Sequence, residues 1–340
     1  MFDPSEMPAR LEAFLAQRHP DTGEIAVSDY QPLTGGYSRL MAKFTATIDG
    51  EVQHLIARGD PPAGQEFIVT DRDREWALLS ALTADGRAPM PRALYYDADG
   101  SELGTKAIVL EFVEGGSFQS QVTASEDDRP AQLDTLAKLA SEIHAVDLDV
   151  LPAEIDRPQD WDAYFDDCVA AWREMDAQHV EAMPVFRHVA SWLEQHKPAP
   201  APLTLVHAEL QPPNIMVGDD GRLLAVDWEV ARIGDPREDL GWFQFMSSVA
   251  QPPDIIASDP EGFARRYREL TGLGEDVVNP ATIAYFAILP TARVFGLLLE
   301  NLRALSSGAT SSLAAAFTIG FLSAAQAWWV ATMAAIEDQI

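Results

Sequence analysis

The sequence predicts an α+β chain of two lobes, a small antiparallel-sheet lobe over residues 1–113 and a mostly helical lobe over residues 114–340. Three observations lead there. Strand-type runs dominate the N-terminal third, Gly115 and Gly116 mark a joint, and helical periodicity dominates beyond it except for three short strands within 203–229. The length of 340 residues agrees, since it exceeds the usual size of a single hydrophobic core.

In chain order, "EIAVSDYQPL" and "SRLMAKFTATI" are β-rich runs separated by "TGGY", and "VQHLIARGD" is a third strand closed by "PPAG". "EFIVTDRDREWALLSALTADG" reads as a helix, with Phe67, Trp76, Leu79 and Leu82 near helical spacing and Gly86 as its stop. "RALYYDADGSELGTKAIVLEFVEGG" reads as a hairpin whose second arm, 107–113, is almost wholly apolar. Helices follow over 130–144, 161–175 and 186–196, and again from Pro236 to the C-terminus. Between them "LTLVH", "NIMVG" and "LLAVDW" are short strands.

Composition limits the function. The chain carries 24 basic and 53 acidic residues, a net charge of −29, which repels nucleic acid and anionic membrane surfaces. Solubility is the simpler use of that acidity, and attraction of cationic substrates the other. Cys168 is the lone cysteine, so an intrachain disulfide and a cysteine-cluster metal site are excluded and a reducing cytoplasm is expected. The stretch "MFDPSEMPARLEAFLAQRHP" reads as an amphipathic helix rather than a secretory signal. No charge falls between Arg303 and Glu337, and 313–336 is long enough to span a bilayer. Its alanines, its Thr318, Ser323, Gln326 and Thr332, and the lack of a basic flank favour a buried C-terminal helix, with no membrane partner. There is no GxSxG and no HExxH, which removes the common hydrolase and metalloprotease signatures. Nothing in the sequence sets an oligomeric state.

The chemistry concentrates in "VHAELQPPNIM" and the hairpin after it. Asn214 precedes the strand "IMV", "GDDGR" reverses the chain, and "LLAV" runs back to Asp227, so an amide and a carboxylate meet at one end of a hairpin. Those two hard oxygen donors suit Mg²⁺, which takes its other ligands from water and substrate phosphates. Glu209 lies one loop earlier, placed to accept a proton from a hydroxyl attacking that phosphate.

At these residues the sequence resembles the aminoglycoside phosphotransferase and choline kinase group, whose pattern is HGDxxxxN, a short hairpin, DxE or DFG, and often GDPxxDL. Here His207, Ala208, Glu209 and Asn214 are followed by Asp227, Trp228 and Glu229, then by Gly234, Asp235, Pro236, Asp239 and Leu240. The resemblance implies a bilobal, protein-kinase-like fold and transfer of the ATP γ-phosphate to a hydroxyl of a small molecule. It implies Mg²⁺ on Asn214 and Asp227, a base at Glu209, and a His207 that shapes the loop through hydrogen bonds. Asp235 reads instead as the N-cap of a capping box, "DPRE", with Pro next and Glu at the third position. Asp239 either braces the catalytic loop or does not, and Glu229 is either an acid behind the metal ligands or an exposed side chain.

In the first lobe, "LTGGYSRL" is either an ordinary hairpin turn or a phosphate-covering turn using Gly35, Gly36 and Ser38. Arg58 and Glu75 stand where such kinases keep a strand cation and the helix acid that holds it, with Arg replacing the usual Lys. A surface salt bridge is the competing reading. "ARGDPPAG" resembles the branch of the family fused to some acyl-CoA dehydrogenases, and "VLEFVEGG" resembles the adenine-reading joint, which would use the backbone at Glu111 and Val113.

Two departures from the family pattern bear on activity. Glu209 replaces an Asp, lengthening the side chain by one methylene, so a working kinase and a weakened nucleotide-binding pseudokinase both stand. Ala208 replaces a Gly, at a position expected to make no demand for glycine. The acceptor is expected among the late helices, with Tyr285, Phe286, Trp328 and Trp329 as aromatic candidates, although most aromatics at such spacing belong to the core. Arg293, the lone charge between Asp276 and Glu300, either sits near a carboxylate or faces an anionic substrate group. Amino alcohols, aminoglycosides and hydroxyacyl compounds all remain as acceptors.

Overall fold

The computed structural model describes residues 6–33, 40–60, 71–122, 126–179, 184–249, 255–308 and 313–338. The chain divides into two compact units, Met1–Gly86 with Met90–Gly115, and Arg87–Pro89 with Gly116–Ile340.

Among the described residues, the N-terminal unit is a five-stranded antiparallel sheet with two helices. Helix α1 (Met7–Arg18) precedes β1 (Ile25–Leu33), β2 (Leu40–Ile48), β3 (Glu51–Gly59), α2 (Arg72–Asp85), β4 (Ala93–Asp97) and β5 (Ala107–Glu111), and the strand order is β1-β2-β3-β5-β4. Asp49 and Gly50, with φ of 50° and 83°, join β2 to β3, and this two-residue left-handed turn matches the twist of a hairpin. It fixes the register from Ile48↔Glu51 to Leu40↔Gly59, and so places Arg58 opposite Met41 on one side and Ile108 on the other. Leu11, Phe14 and Leu15 of α1 join Phe44, Ala46, Leu55 and Val109 in one buried core. Helix α2 starts where Asp71 caps the Arg74 N–H and stops at Gly86, whose φ of 73° needs no side chain. The earlier start expected from Phe67 lies outside the described residues, as do Gly35, Gly36 and Ser38.

The C-terminal unit is helical around two small sheets. It runs through β6 (Gly115–Ser117), α3 (Phe118–Val122), α4 (Arg129–His144), α5 (Trp161–His179), α6 (Val185–Gln195), β7 (Thr204–Val206), β8 (Ile215–Gly218), β9 (Leu223–Ala225) and β10 (Arg232–Gly234). Helices α7 (Arg237–Val249), α8 (Pro260–Thr271), α9 (Pro280–Phe286), α10 (Thr291–Ser306) and α11 (Leu313–Glu337) complete it. Strands β7 and β10 pair antiparallel, and β6, β8 and β9 form the other sheet. Helix α7 approaches α9 closely at Gly241, where a Cβ would stand 2.3 Å from the Ala287 nitrogen. Trp172 of α5, Phe245 of α7, Phe295 of α10 and Trp329 of α11 interlock edge-on.

The apolar stretch 313–336 forms α11, with Leu322, Ala325, Trp329, Met333 and Ile336 buried, in line with the C-terminal helix read from the sequence. Among the described residues, Pro280–Ser306 is long and apolar enough to cross a membrane. Its most apolar window is 67% buried inside the unit, the pattern of a core element. The "DPRE" capping box forms by half: Asp235 accepts the Arg237 N–H at 2.9 Å, but Glu238 pairs with Arg232 instead of reaching back. Asp235 is also wholly buried, because its carboxylate takes the Arg237 guanidinium and the Trp161 indole N–H.

Candidate active site

Strand β7 delivers the chain into a loop that ends in a 3₁₀ turn over Pro212–Asn214. Hairpin β8–β9 follows, with Ile215 opposite Ala225, and the Val226 N–H donates to the Asn214 carbonyl at 2.9 Å. That bond closes the open end of the hairpin, so Asn214 and Asp227 emerge side by side. Asp227 itself has φ of 74°, a left-handed conformation that Asp tolerates better than most residues. Trp228, buried behind it, donates its indole N–H to the Ala225 carbonyl at 2.8 Å and holds the reversal in place.

The Asn214 Nδ2 donates to the Glu209 carbonyl at 3.1 Å, which leaves Oδ1 as the amide atom suited to a cation. Carboxylate oxygens of Glu209, Asp227 and Glu229 all lie within 4.8 Å of one another. Glu229 is therefore no exposed side chain; it is buried, and its acid belongs to the cluster. Hard oxygens at this spacing fit Mg²⁺ chemistry, and three acids crowded together repel one another unless a cation offsets them.

His207 does not stand ready to react. Its Nε2 donates to the Val226 carbonyl at 3.0 Å, and its Nδ1 accepts the Glu209 N–H at 3.3 Å, so both ring nitrogens are spent on holding the loop to the hairpin. Asp239, wholly buried on α7, accepts the backbone N–H of His207 at 2.9 Å and of Ala208 at 2.7 Å. It braces the backbone of the His207–Ala208 loop, the first of the two readings the sequence left open. Burial pushes the Asp239 pKa up, but hydrogen bonds from His144 and the His207 backbone outweigh it and hold the carboxyl below the usual range.

Ala208 corrects an expectation. Its φ is 68°, in the left-handed region, so the position does favour glycine, and alanine carries a cost there of about 1–2 kcal/mol. The Asp239 carboxylate on its N–H helps to hold that conformation.

Within the N-terminal unit, Arg58 on β3 meets Glu75 on α2 at 3.2 Å. Glu75 is fully buried and the Arg58 side chain 11% exposed, so this is not a surface salt bridge. Sequence reading missed a second arginine: Arg72, one turn before Glu75, binds the same carboxylate at 2.5 Å and also Asp60 at 2.6 Å. The (i, i+3) spacing of Arg72 and Glu75 was the available signal. At the end of β5 the Glu111 N–H donates to Arg92 and the Phe112 N–H to His54, and Val113 lies beyond that ladder with its side chain buried.

The two substrate candidates fare differently. Tyr285 is not a contact for an acceptor: it is buried, donates its hydroxyl to the Leu193 carbonyl at 2.6 Å and packs against Trp192. Phe286 and Trp329 are buried as well. Arg293 is exposed, and among the described residues no carboxylate pairs with it. His144 and Tyr267, found beside Asp239, had no local signal at all, because they lie 95 and 123 residues from their partners.

Comparison with known proteins bears on the family and the fold. The model of the Phosphotransferase enzyme family matches residues 29–284. Acyl-CoA dehydrogenase family member 11 of Rattus norvegicus is 28% identical over 238 residues, covering 68% of this chain and 30% of that protein. YcbJ of Bacillus subtilis is 25% identical over 175 residues, 49% of this chain and 54% of its own. The chain thus spans under a third of the dehydrogenase-type relative. Among solved structures, a Ralstonia eutropha protein assigned to the aminoglycoside phosphotransferases has a TM-score of 0.71 at 21% identity, covering 95% of this chain and 97% of its own. A mutant of aminoglycoside phosphotransferase APH(4)-Ia, in ternary complex with ADP and hygromycin B, has a TM-score of 0.62 at 18% identity, covering 95% and 97%. A choline/ethanolamine kinase family protein from Mesorhizobium loti has 0.60 at 18%, covering 97% and 99%. These likenesses establish an α+β, kinase-like fold. With the family model spanning most of its length, the chain belongs to the phosphotransferase enzyme family.

Proposed function

We propose that this chain transfers the γ-phosphate of ATP to a hydroxyl group of a small molecule. The observation that carries the reading is the convergence of Glu209, Asn214, Asp227 and Glu229 at the mouth of one hairpin. Asn214, Asp227 and Glu229 would hold Mg²⁺. When bound, the ion supplies positive charge to the phosphate oxygens and fixes their orientation. Every other step falls to the chain. Glu209 accepts the proton of the attacking hydroxyl as the new O–P bond forms and the β–γ bridging P–O bond breaks, which releases ADP. His207 and Asp239 keep that carboxylate in register through the loop backbone. In the N-terminal unit, Arg58, steadied by Glu75, offers its guanidinium to nucleotide phosphate oxygens.

Solved relatives support a nucleotide and a small-molecule partner, since one holds ADP with hygromycin B. The net charge of −29 favours an amine-bearing acceptor, an amino alcohol or aminoglycoside, whereas the exposed Arg293 favours an anionic one such as a hydroxyacyl compound. The test is ADP release and product mass with Mg²⁺ and ATP over these three acceptor classes. Acceptor-dependent ADP with a phosphorylated product is expected. Binding of nucleotide with no transfer to any class would replace the enzyme by a nucleotide-binding pseudokinase.

A further inference from the structure

Tyr267, His144 and Asp239 form a line of polar side chains through the interior of the C-terminal unit, and none of them touches the acidic cluster. The Tyr267 hydroxyl on α8 is 2.5 Å from Nδ1 of His144, at the end of α4. Nε2 of the same ring is 3.0 Å from Oδ2 of Asp239, which also accepts the His207 N–H, while Oδ1 accepts the Ala208 N–H. The two rings meet edge-on at 5.8 Å.

Both backbone groups donate, so Asp239 accepts as a carboxylate and His144 faces it with Nε2 as a donor. With the ring neutral, Nδ1 is the acceptor for the Tyr267 O–H. Burial and the nearby Asp239 charge keep that phenol protonated, with its pKa far above the usual range. Tyr267 thus selects the His144 tautomer, His144 orients the Asp239 carboxylate, and Asp239 holds two successive amides. The second of those amides belongs to Ala208, whose φ of 68° an alanine would leave if released, and the next residue is Glu209.

We infer that His144 and Tyr267 are positioning residues for phosphoryl transfer, acting through Asp239 on the His207–Ala208 backbone to aim the Glu209 carboxylate. The loop-holding part stands on the geometry alone; its consequence for rate rests on the function proposed above. The experiment therefore reads both, in the full chain, for His144→Leu, His144→Gln and Tyr267→Phe. Hydrogen–deuterium exchange of peptides covering 204–211 reports the loop without any catalysis. Circular dichroism and exchange in α5 and α6 report the fold.

His144→Leu is expected to speed exchange at His207 and Ala208 by about 10-fold or more, with α5 and α6 unchanged. Its kcat should fall by about 10²-fold, while the ATP KM stays within about 3-fold. His144→Gln keeps an N–H for Asp239 and is expected to recover kcat to within about 10-fold of the parent. Tyr267→Phe deletes only a hydroxyl, is expected to fold, and should give a smaller change of the same kind; it decides the matter if His144→Leu does not fold. Parent-like exchange at 204–211 in Tyr267→Phe and in folded His144→Leu overturns the inference. So does faster exchange spread evenly over the unit, or a kcat that Gln fails to recover. Faster loop exchange in a protein that phosphorylates no acceptor supports the positioning network and removes the kinase reading instead.

Discussion

Shortening Glu209 to Asp tests whether its extra methylene is built into the site. The backbone cannot follow the change, because the Glu209 N–H is held by His207 Nδ1 at 3.3 Å and its carbonyl by Asn214 Nδ2 at 3.1 Å. The carboxylate therefore retreats by about 1.5 Å from a position within 4.8 Å of the Asp227 and Glu229 oxygens. A misplacement near 1 Å costs on the order of 10²-fold, about 2.7 kcal/mol of transition-state stabilisation. Glu209→Asp is expected to lose about that much in kcat, and Glu209→Gln, which keeps the length but cannot take a proton, about 10²- to 10⁴-fold. Nucleotide affinity should stay within about 3-fold in both. The assay is coupled ADP release with the best acceptor found, alongside calorimetric titration with ADP and Mg²⁺. A Glu209→Asp protein faster than its parent would mean that the longer acid is a displaced base, and an unaffected Glu209→Gln would mean that it is no base at all.

Three further outcomes follow from buried groups. Glu75→Gln strips Arg58 and Arg72 of the carboxylate they share, and should destabilise the N-terminal unit by about 3–5 kcal/mol with a matching loss of nucleotide affinity, read by thermal melting and calorimetry. Tyr285→Phe loses one buried hydrogen bond to Leu193 and should cost about 1 kcal/mol in melting experiments while leaving the acceptor KM unchanged, as suits a core residue. The folded Asp239 pKa lies below the ordinary 3.8, so its contribution to stability is complete above that pH and lost as pH falls through the lowered value. Acid titration should show Asp239→Asn weaker than the parent at neutral pH, with the gap closing in strong acid.

The parts of the site that sequence could show are those written in short spans. A hairpin is a local object, so placing Asn214 and Asp227 at its two ends followed from turn and strand signals between 214 and 227. Arg58 and Glu75 likewise sit on a strand and the helix after it. What escaped depends on separation or on backbone detail. His144 reaches Asp239 across 95 residues, and periodicity carries no information about such a pairing. The left-handed φ of Ala208 is imposed by two amides converging on Asp239, and an alanine in the sequence gave no warning of it. Tyr285 stayed open between core and substrate contact because aromatic spacing marks a helix face without saying what covers it; α6 does, through the Leu193 carbonyl. Glu238 left its expected cap because Arg232, on the strand just before, offers a charged partner.

In the proposed site Asp227, beside Asn214 and Glu209, holds the divalent cation for a nucleotide's phosphates. Titration of the protein with Mn²⁺ and a non-hydrolysable ATP analogue, followed by electron paramagnetic resonance, measures that occupancy without any acceptor. The parent should bind the cation with nucleotide, and Asp227→Asn should weaken its affinity by about 10- to 100-fold. Equal cation binding by both proteins would contradict the assignment.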